Sequence, residues 1–334
     1  MSGIRRDGTG SLRAFSLVEL LVAVAITLLL VGMLVAIVDT TLQGWRRAQG
    51  DLASATQARL ALDWIERDLQ SALRHPGGTA TGFAVGVATE AGSRVLHGWL
   101  PASGSGKPGG TASWRPLPPA VEDIPGALAE ARFGWSGAWL RCFTHNPESS
   151  GSQVVAVAYQ LCRRPVGGPV NPTNPAPVRY SLYRSAVTGE KTWLAGLDLS
   201  AAAYASPSSQ PGATREPATL TNPNQADLLA VRVVDFGIWL YVRESGGALR
   251  RVFPVSEADR EHGVAGNVPL PDVVDVMIRI LTEQGAARIE AMERGERTVV
   301  RPPEVADDAA WWWAEVEAHS QVYVRRIERV ATVP

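Results

Sequence analysis

Glu19 is the only residue with an ionisable side chain between Arg13 and Asp39, and it interrupts the start of an apolar run, "AFSLVELLVAVAITLLLVGMLVAIV". A carboxylate among apolar neighbours is costly unless it is neutralised or paired. Glu19 therefore either finds a cationic partner or rests at the level of lipid headgroups. The other residues with chemical potential are scattered. His75, His97, His145, His262 and His319 fall at no metal-ligand spacing, and no short Cys/His cluster occurs. There is no phosphate-binding loop, dinucleotide fingerprint, G-x-S-x-G elbow or H-E-x-x-H helix. In "DWIERD", Asp63 and Arg67 are spaced for an i,i+4 surface pair, and Glu66 and Asp68 read as solvated. The pattern points away from an enzyme and calls for no cofactor. Cys142 and Cys162 allow one pairing, which an oxidising compartment permits and two thiols do not prove.

The element that positions Glu19 is a long helix. Leu20 to Val38 contains no charge, and only Thr27 and Gly32 are neither strongly apolar nor alanine. A helix of that length spans about 28 Å, close to the thickness of a hydrocarbon core. Arg5, Arg6 and Arg13 precede it and outweigh Asp7, which keeps the start cytoplasmic and exports the chain beyond Val38. A secretory signal usually has a shorter apolar core that ends in small residues before a loop. Here the run continues without proline into "DTTLQGWRRAQGDLASATQARLALDWIERDLQSALR". Trp45, Ala48, Leu52, Ala55, Leu62, Ile65, Leu69 and Leu73 recur at helical steps there and predict one apolar stripe facing a folded domain. Pro76, Gly77 and Gly78 stop it.

Beyond Gly77 the period changes. "GSRVLHGWL", "ARFGWSGAWLRCF", "SQVVAVAYQLCRR", "RYSLYRSA", "LLAVRVVDFGIWLYVR" and "VVDVMIRILT" read as strands. In the last, Val274, Val276, Ile278 and Ile280 alternate with Asp275, Met277 and Arg279, which predicts an antiparallel sheet with one covered face. Three Pro- and Gly-rich insertions, at 101–125, 163–179 and 205–225, read as long loops. "SQVYVRRI" is placed to close the sheet. Trp311, Trp312 and Trp313 cannot all face one core, so at least one is exposed, tucked under a loop or set against a partner. The net charge of -1 and the lack of a basic stripe argue against nucleic acid as a partner.

"AFSLVELLVAVA" resembles the type IV prepilin family, including the pseudopilins of type II secretion. The resemblance implies a leader cut by a prepilin peptidase before Phe15, methylation of the new amino terminus, and Glu19 as the fifth mature residue. Ala14 stands before the cut, where the family normally has Gly. "QARLALDWIERDLQSA", "VAVAYQLCRR", "VRYSLYRSAV" and "LPDVVDVMIRIL" are similar to segments of the larger J-type minor pseudopilins. "WRRAQ" and "VYVRRI" are similar to pilin-like proteins of verrucomicrobial cassettes. The implied fold is α+β and pilin-like, with a long N-terminal helix on an antiparallel β-sheet domain with long loops. Its parts are a leader at 1–14, a membrane half of the helix at 15–38, an amphipathic half at 39–75 and an exported domain at 76–334. The implied partners are other pilin or pseudopilin subunits, the prepilin peptidase and methylase, an inner-membrane assembly platform and lipid. The location that the resemblance implies is that of a single-pass bacterial inner-membrane protein with a periplasmic domain that enters a periplasmic or extracellular fibre. Some family members bind calcium through loop carboxylates, but neither Asp307 and Asp308 nor Asp259 and Glu261 form a defined calcium loop. The competing reading is an uncut, membrane-anchored extracytoplasmic binding or adhesive protein.

Overall fold

A computed structural model describes residues 17–73, 80–87, 138–146, 153–165, 178–201, 204, 220, 223, 225–255, 261–264, 268–293, 301–305 and 308–329. The strand expected at "GSRVLHGWL" and most of the three long insertions lie outside the described residues. The chain divides into two compact units, 1–51 and 52–334.

The first unit holds the start of helix α1 (Leu17–Gln70), which is α-helical throughout its 54 residues. Leu17 to Leu42 is long and apolar enough to cross a membrane, and none of its most apolar stretch is covered by protein. Thr27, Thr40 and Thr41 donate their hydroxyls to the carbonyls four residues back, at 2.7, 2.8 and 2.8 Å. Each hydroxyl is thereby satisfied within the helix, which lets an apolar segment carry it.

The second unit contains two antiparallel sheets. Strands β1 (Phe83–Val87), β2 (Ala138–Asn146), β3 (Gln153–Pro165), β4 (Val178–Val187), β5 (Leu228–Val231) and β8 (Glu261–His262) form one. Their order is β5-β4-β3-β2-β1-β8. Strands β6 (Val233–Arg243), β7 (Leu249–Phe253), β9 (Val273–Leu281) and β10 (Ser320–Glu328) form the other, in the order β10-β9-β6-β7. "SQVYVRRI" thus supplies an edge strand, as its pattern suggested. Helix α2 (Gly189–Ala195) comes after β4, and helices α3 (Glu283–Glu293) and α4 (Asp308–Ala318) lie between β9 and β10.

The main core joins the inner faces of both sheets to α1. Ala58, Ala61, Leu62, Ile65 and Leu69 from the helix meet Val155, Val157, Tyr159 and Leu161 from β3 and Val274, Val276, Ile278 and Ile280 from β9. The apolar run "LLAVRVVDFGIWLYVR" is two strands rather than one. Arg232 breaks it with a φ of 60°, a left-handed conformation unusual for a long side chain, and β5 and β6 join different sheets. Periodicity does not reveal such a break because both flanks are β-branched and apolar.

The expected wet face of β9 is also corrected, since all nine of its residues are buried. Sideways pairing makes this possible. Asp275 lies opposite Arg326 and receives two hydrogen bonds from it, at 2.7 and 2.6 Å. Arg279 lies opposite Asp235 at 3.8 Å and donates to Ser320 at 3.3 Å. Buried charges survive only with such partners.

The three tryptophans sit on α4. Trp312 and Trp313 are 4% and 1% exposed and meet edge to face at 5.0 Å. Trp311 is half-buried at the margin of the same cluster. Helices α3 and α4 are tied by Arg288, which donates Nε to Glu315 at 2.6 Å and Nη2 at 2.7 Å. Those bonds hold the Glu315 carboxyl below the usual carboxylate range. A depressed folded pKa gives stability that is present above the unfolded value and lost as pH falls through the folded one. The melting temperature is therefore expected to drop more for the parent than for Glu315→Gln between about pH 5 and about pH 3. Parallel pH profiles would remove this pair from the account.

Candidate functional site

α1 carries the residues that point to function. Glu19 is exposed in its first turn, at the head of the uncovered apolar segment. Ala14 and Phe15, the positions flanking the expected cut, lie outside the described residues. Aligned backbone dipoles leave partial positive charge at a helix start, which favours a carboxylate there.

Farther along, the helix packs on the sheets through Ser54, Ala58, Ala61, Ile65 and Asp68, with Leu62 and Leu69 beside them and Ala72 continuing the same line just past its end. The steps of three and four place these residues on one face. This corrects the expected stripe in its first half, because Trp45 is 64% and Leu52 is 70% exposed. It corrects Asp68 as well. That residue is 4% exposed and lies within the packing face.

Asp68 is the centre of a buried polar cluster. Arg184 from β4 donates Nε to Oδ2 at 2.8 Å and Nη2 to Oδ1 at 3.1 Å, and the Tyr159 hydroxyl from β3 donates to Oδ2. Tyr159 and Arg184 are direct cross-strand neighbours. The Arg184 guanidinium also lies 4.7 Å from the centre of the Trp64 ring. Burial, and then the nearby Asp68 charge, push the Tyr159 hydroxyl well above its ordinary pKa, so it remains a donor. A carboxylate with a forked guanidinium and a hydroxyl on it has strict geometry. Chemically the cluster sets register, fixing which turn of α1 lies on which strand pair.

Two more arginines hold the same end of the helix. Arg325 of β10 bonds to Asp63 and, at 2.9 Å, to Glu66, so Asp63 pairs across to the sheet. Arg329 donates to the carbonyls of Leu69 at 3.2 Å and Ala72 at 3.0 Å, at and just past the C-terminal end of the helix. Nothing in "DWIERD" alone separates Asp68 from its neighbours. The available signal is its phase, three residues after Ile65 and four before Ala72.

The expected option of a Cys142–Cys162 bridge is not realised, and Cys142 is a free, buried thiol. Cys142 is opposite Val157, whereas Cys162 lies five residues farther along β3, opposite Ser181. Five strand residues span roughly 16 Å, well beyond the ~7 Å limit between bridged Cα atoms. Burial pushes the Cys142 thiol pKa up, which keeps it protonated and inert.

Among the described residues, no three His, Cys, Asp or Glu side chains converge as a metal site. Asp259 and Asp307 lie outside the described residues, Asp308 opens α4 and Glu261 belongs to β8.

These features define an architecture: an apolar N-terminal helix whose continuation packs on antiparallel sheet, with one segment among the described residues of the make-up of a membrane anchor. This is a pilin-like α+β fold. Comparison with family models, curated proteins and solved structures finds no match to this chain.

Proposed function

We propose that this chain is a minor pilin or pseudopilin subunit, without catalytic activity, that serves a type II secretion pseudopilus or a type IV pilus-like fibre. A prepilin peptidase removes residues 1–14, and the new amino terminus on Phe15 is methylated. The domain stands on the periplasmic side of a bacterial inner membrane. An assembly platform then draws the helix out of the lipid and against neighbouring subunits. The bulk of residues 76–334 suits a tip position better than a closely repeated shaft.

One observation carries this reading. The largely apolar 26-residue segment Leu17–Leu42, with Glu19 in its first turn, belongs to the same helix whose later turns pack into the core of the domain. A plain anchor needs an apolar span but no carboxylate near its start and no continuous helix into the domain. In the assembled fibre, Glu19 meets the cationic amine of a neighbouring Phe15, a pair that exists only after the leader has been removed. A desolvated pair of that kind fixes axial register, and loss of one partner leaves a charge uncompensated.

Glu19→Ala is accordingly expected to insert in the membrane at the parent level but to enter fibres at a level reduced several-fold, read by crosslinking to sheared fibres. Incorporation equal to the parent would refute the pairing role.

A further inference from the structure

We propose that the cleft where α3 meets the junction of β5 and β6 binds a carboxylate carried on a short apolar stem. Arg179 of β4, Arg232 between β5 and β6, and Glu290 of α3 line it together with Leu281, Ala286 and Ile289. Among the described residues, the Nε atoms of Arg179 and Arg232 are buried and have no hydrogen-bond acceptor. A buried donor left unpaired costs free energy, so two of them at one cleft call for an acceptor that arrives from outside. Glu290 does not meet that need, because its carboxylate lies 3.7 Å from the Arg179 Nε, beyond hydrogen-bond reach. Arg232 also holds a φ of 60°. A long side chain takes that left-handed conformation at a cost, and such strain concentrates at ligand sites. The Arg232 carbonyl accepts from the Leu281 N–H at 2.9 Å, a backbone bond that any residue could make there. The fold therefore asks for the turn, and the cleft asks for the arginine.

Charge and wall chemistry select the ligand. Among the lining residues, two guanidiniums and one carboxylate leave a single positive charge to be matched, which suits a monoanion better than a dianionic phosphate. The walls are mostly apolar, and the interior admits only one small group. A carboxylate is such a group, planar and able to accept from arginine donors, and its stem then lies against Leu281, Ala286 and Ile289. Tyr180 also lines the cleft and is held edge to face on Trp312 at 5.9 Å, which ties the site to the tryptophan cluster. All of these residues belong to the second unit. The site rests on neither the cut before Phe15 nor assembly into a fibre.

The test uses the full-length chain in detergent with butyrate as the probe, against phosphate and chloride at matched ionic strength. Equilibrium dialysis is expected to show saturable binding of one butyrate per chain, with phosphate held more weakly. Arg179→Gln is expected to weaken butyrate roughly tenfold, the cost of a lost hydrogen bond to a charged group. Arg232→Gly is expected to weaken it as much while melting at or above the parent temperature, because glycine takes that φ freely. Glu290→Gln is expected to tighten butyrate roughly fivefold by removing the negative charge beside Arg179. A capped Ala-Glu-Ala peptide separates the two sources of the group, and either result supports the site. Displacement of butyrate by less peptide than free butyrate requires assigns an acidic side chain, and the reverse assigns a free acid. No saturable binding, as for a cleft filled by water alone, would overturn the proposal. So would phosphate bound as tightly as butyrate, weaker binding by Glu290→Gln, or an Arg232→Gly chain that melts below the parent.

Discussion

Replacing Asp68 with Ala is expected to destabilise the domain by about 3–5 kcal/mol, the usual cost of removing one partner from a buried ion pair. The cost comes from the groups left behind. Arg184, only 20% exposed, keeps its charge without the carboxylate that received its Nε and Nη2 donors. The buried Tyr159 hydroxyl loses its acceptor at the same time. Asp63→Ala is the matched comparison, because that carboxylate is 54% exposed. Its loss is expected to cost no more than about 1 kcal/mol, as for exposed ion pairs generally. Denaturant unfolding of the full chain in detergent measures both. Equal effects at the two positions would mean that the Asp68 cluster contributes only as a surface pair does.

Trp313→Ala is expected to cost about 3–5 kcal/mol, the range for deleting a large aromatic side chain from a core. Trp313 is 1% exposed, stacks edge to face on Trp312 and shares a cluster with Leu281, Ile289, Met292 and Val316. The cavity left by its indole lies between α3, α4 and the sheets, where the tie from Arg288 to Glu315 limits collapse. Trp311, half-buried at the margin, is expected to lose about 1 kcal/mol when truncated, in line with partial burial. The same unfolding measurement ranks the two. A larger effect at Trp311 would place the weight of the cluster on its outer side, as a partner surface requires.

The membrane half of α1 was legible because nothing in 20–38 competes with a simple apolar run. Strands β4 and β9 were legible from their alternation, and β3 from a short apolar run. The amphipathic half of α1 was harder. Trp45 and Leu52 match a helical period with Leu62 and Leu69, but the helix buries the face through Ser54, Ala58 and Ala61 instead. Small residues let the helix approach the sheets closely, and a hydrophobic count gives them little weight. Asp68 was misread for a related reason, since a carboxylate in a charged stretch looks solvated until Arg184 and Tyr159 are brought beside it from far along the chain. Burial of Asp275 and Arg279 was hidden in the same way, as alternation reports which face a side chain takes but not whether a lateral partner neutralises it.

The join between the later turns of α1 and the sheets bears on function. Arg184 on β4, Arg325 on β10 and Arg329 just past β10 bond to the last turns of the helix and the residue Ala72 beyond it. These bonds and the packed face fix the later turns of the helix on the sheets. Glu19 sits at the opposite end of that helix, in the first turn of the apolar segment.

Mass analysis of the amino terminus of the chain recovered from membranes or fibres tests the assembly role most directly. A mature terminus at Phe15, carrying one methyl group, is the expected result. An intact Met1, or a terminus beyond Val38, would contradict it.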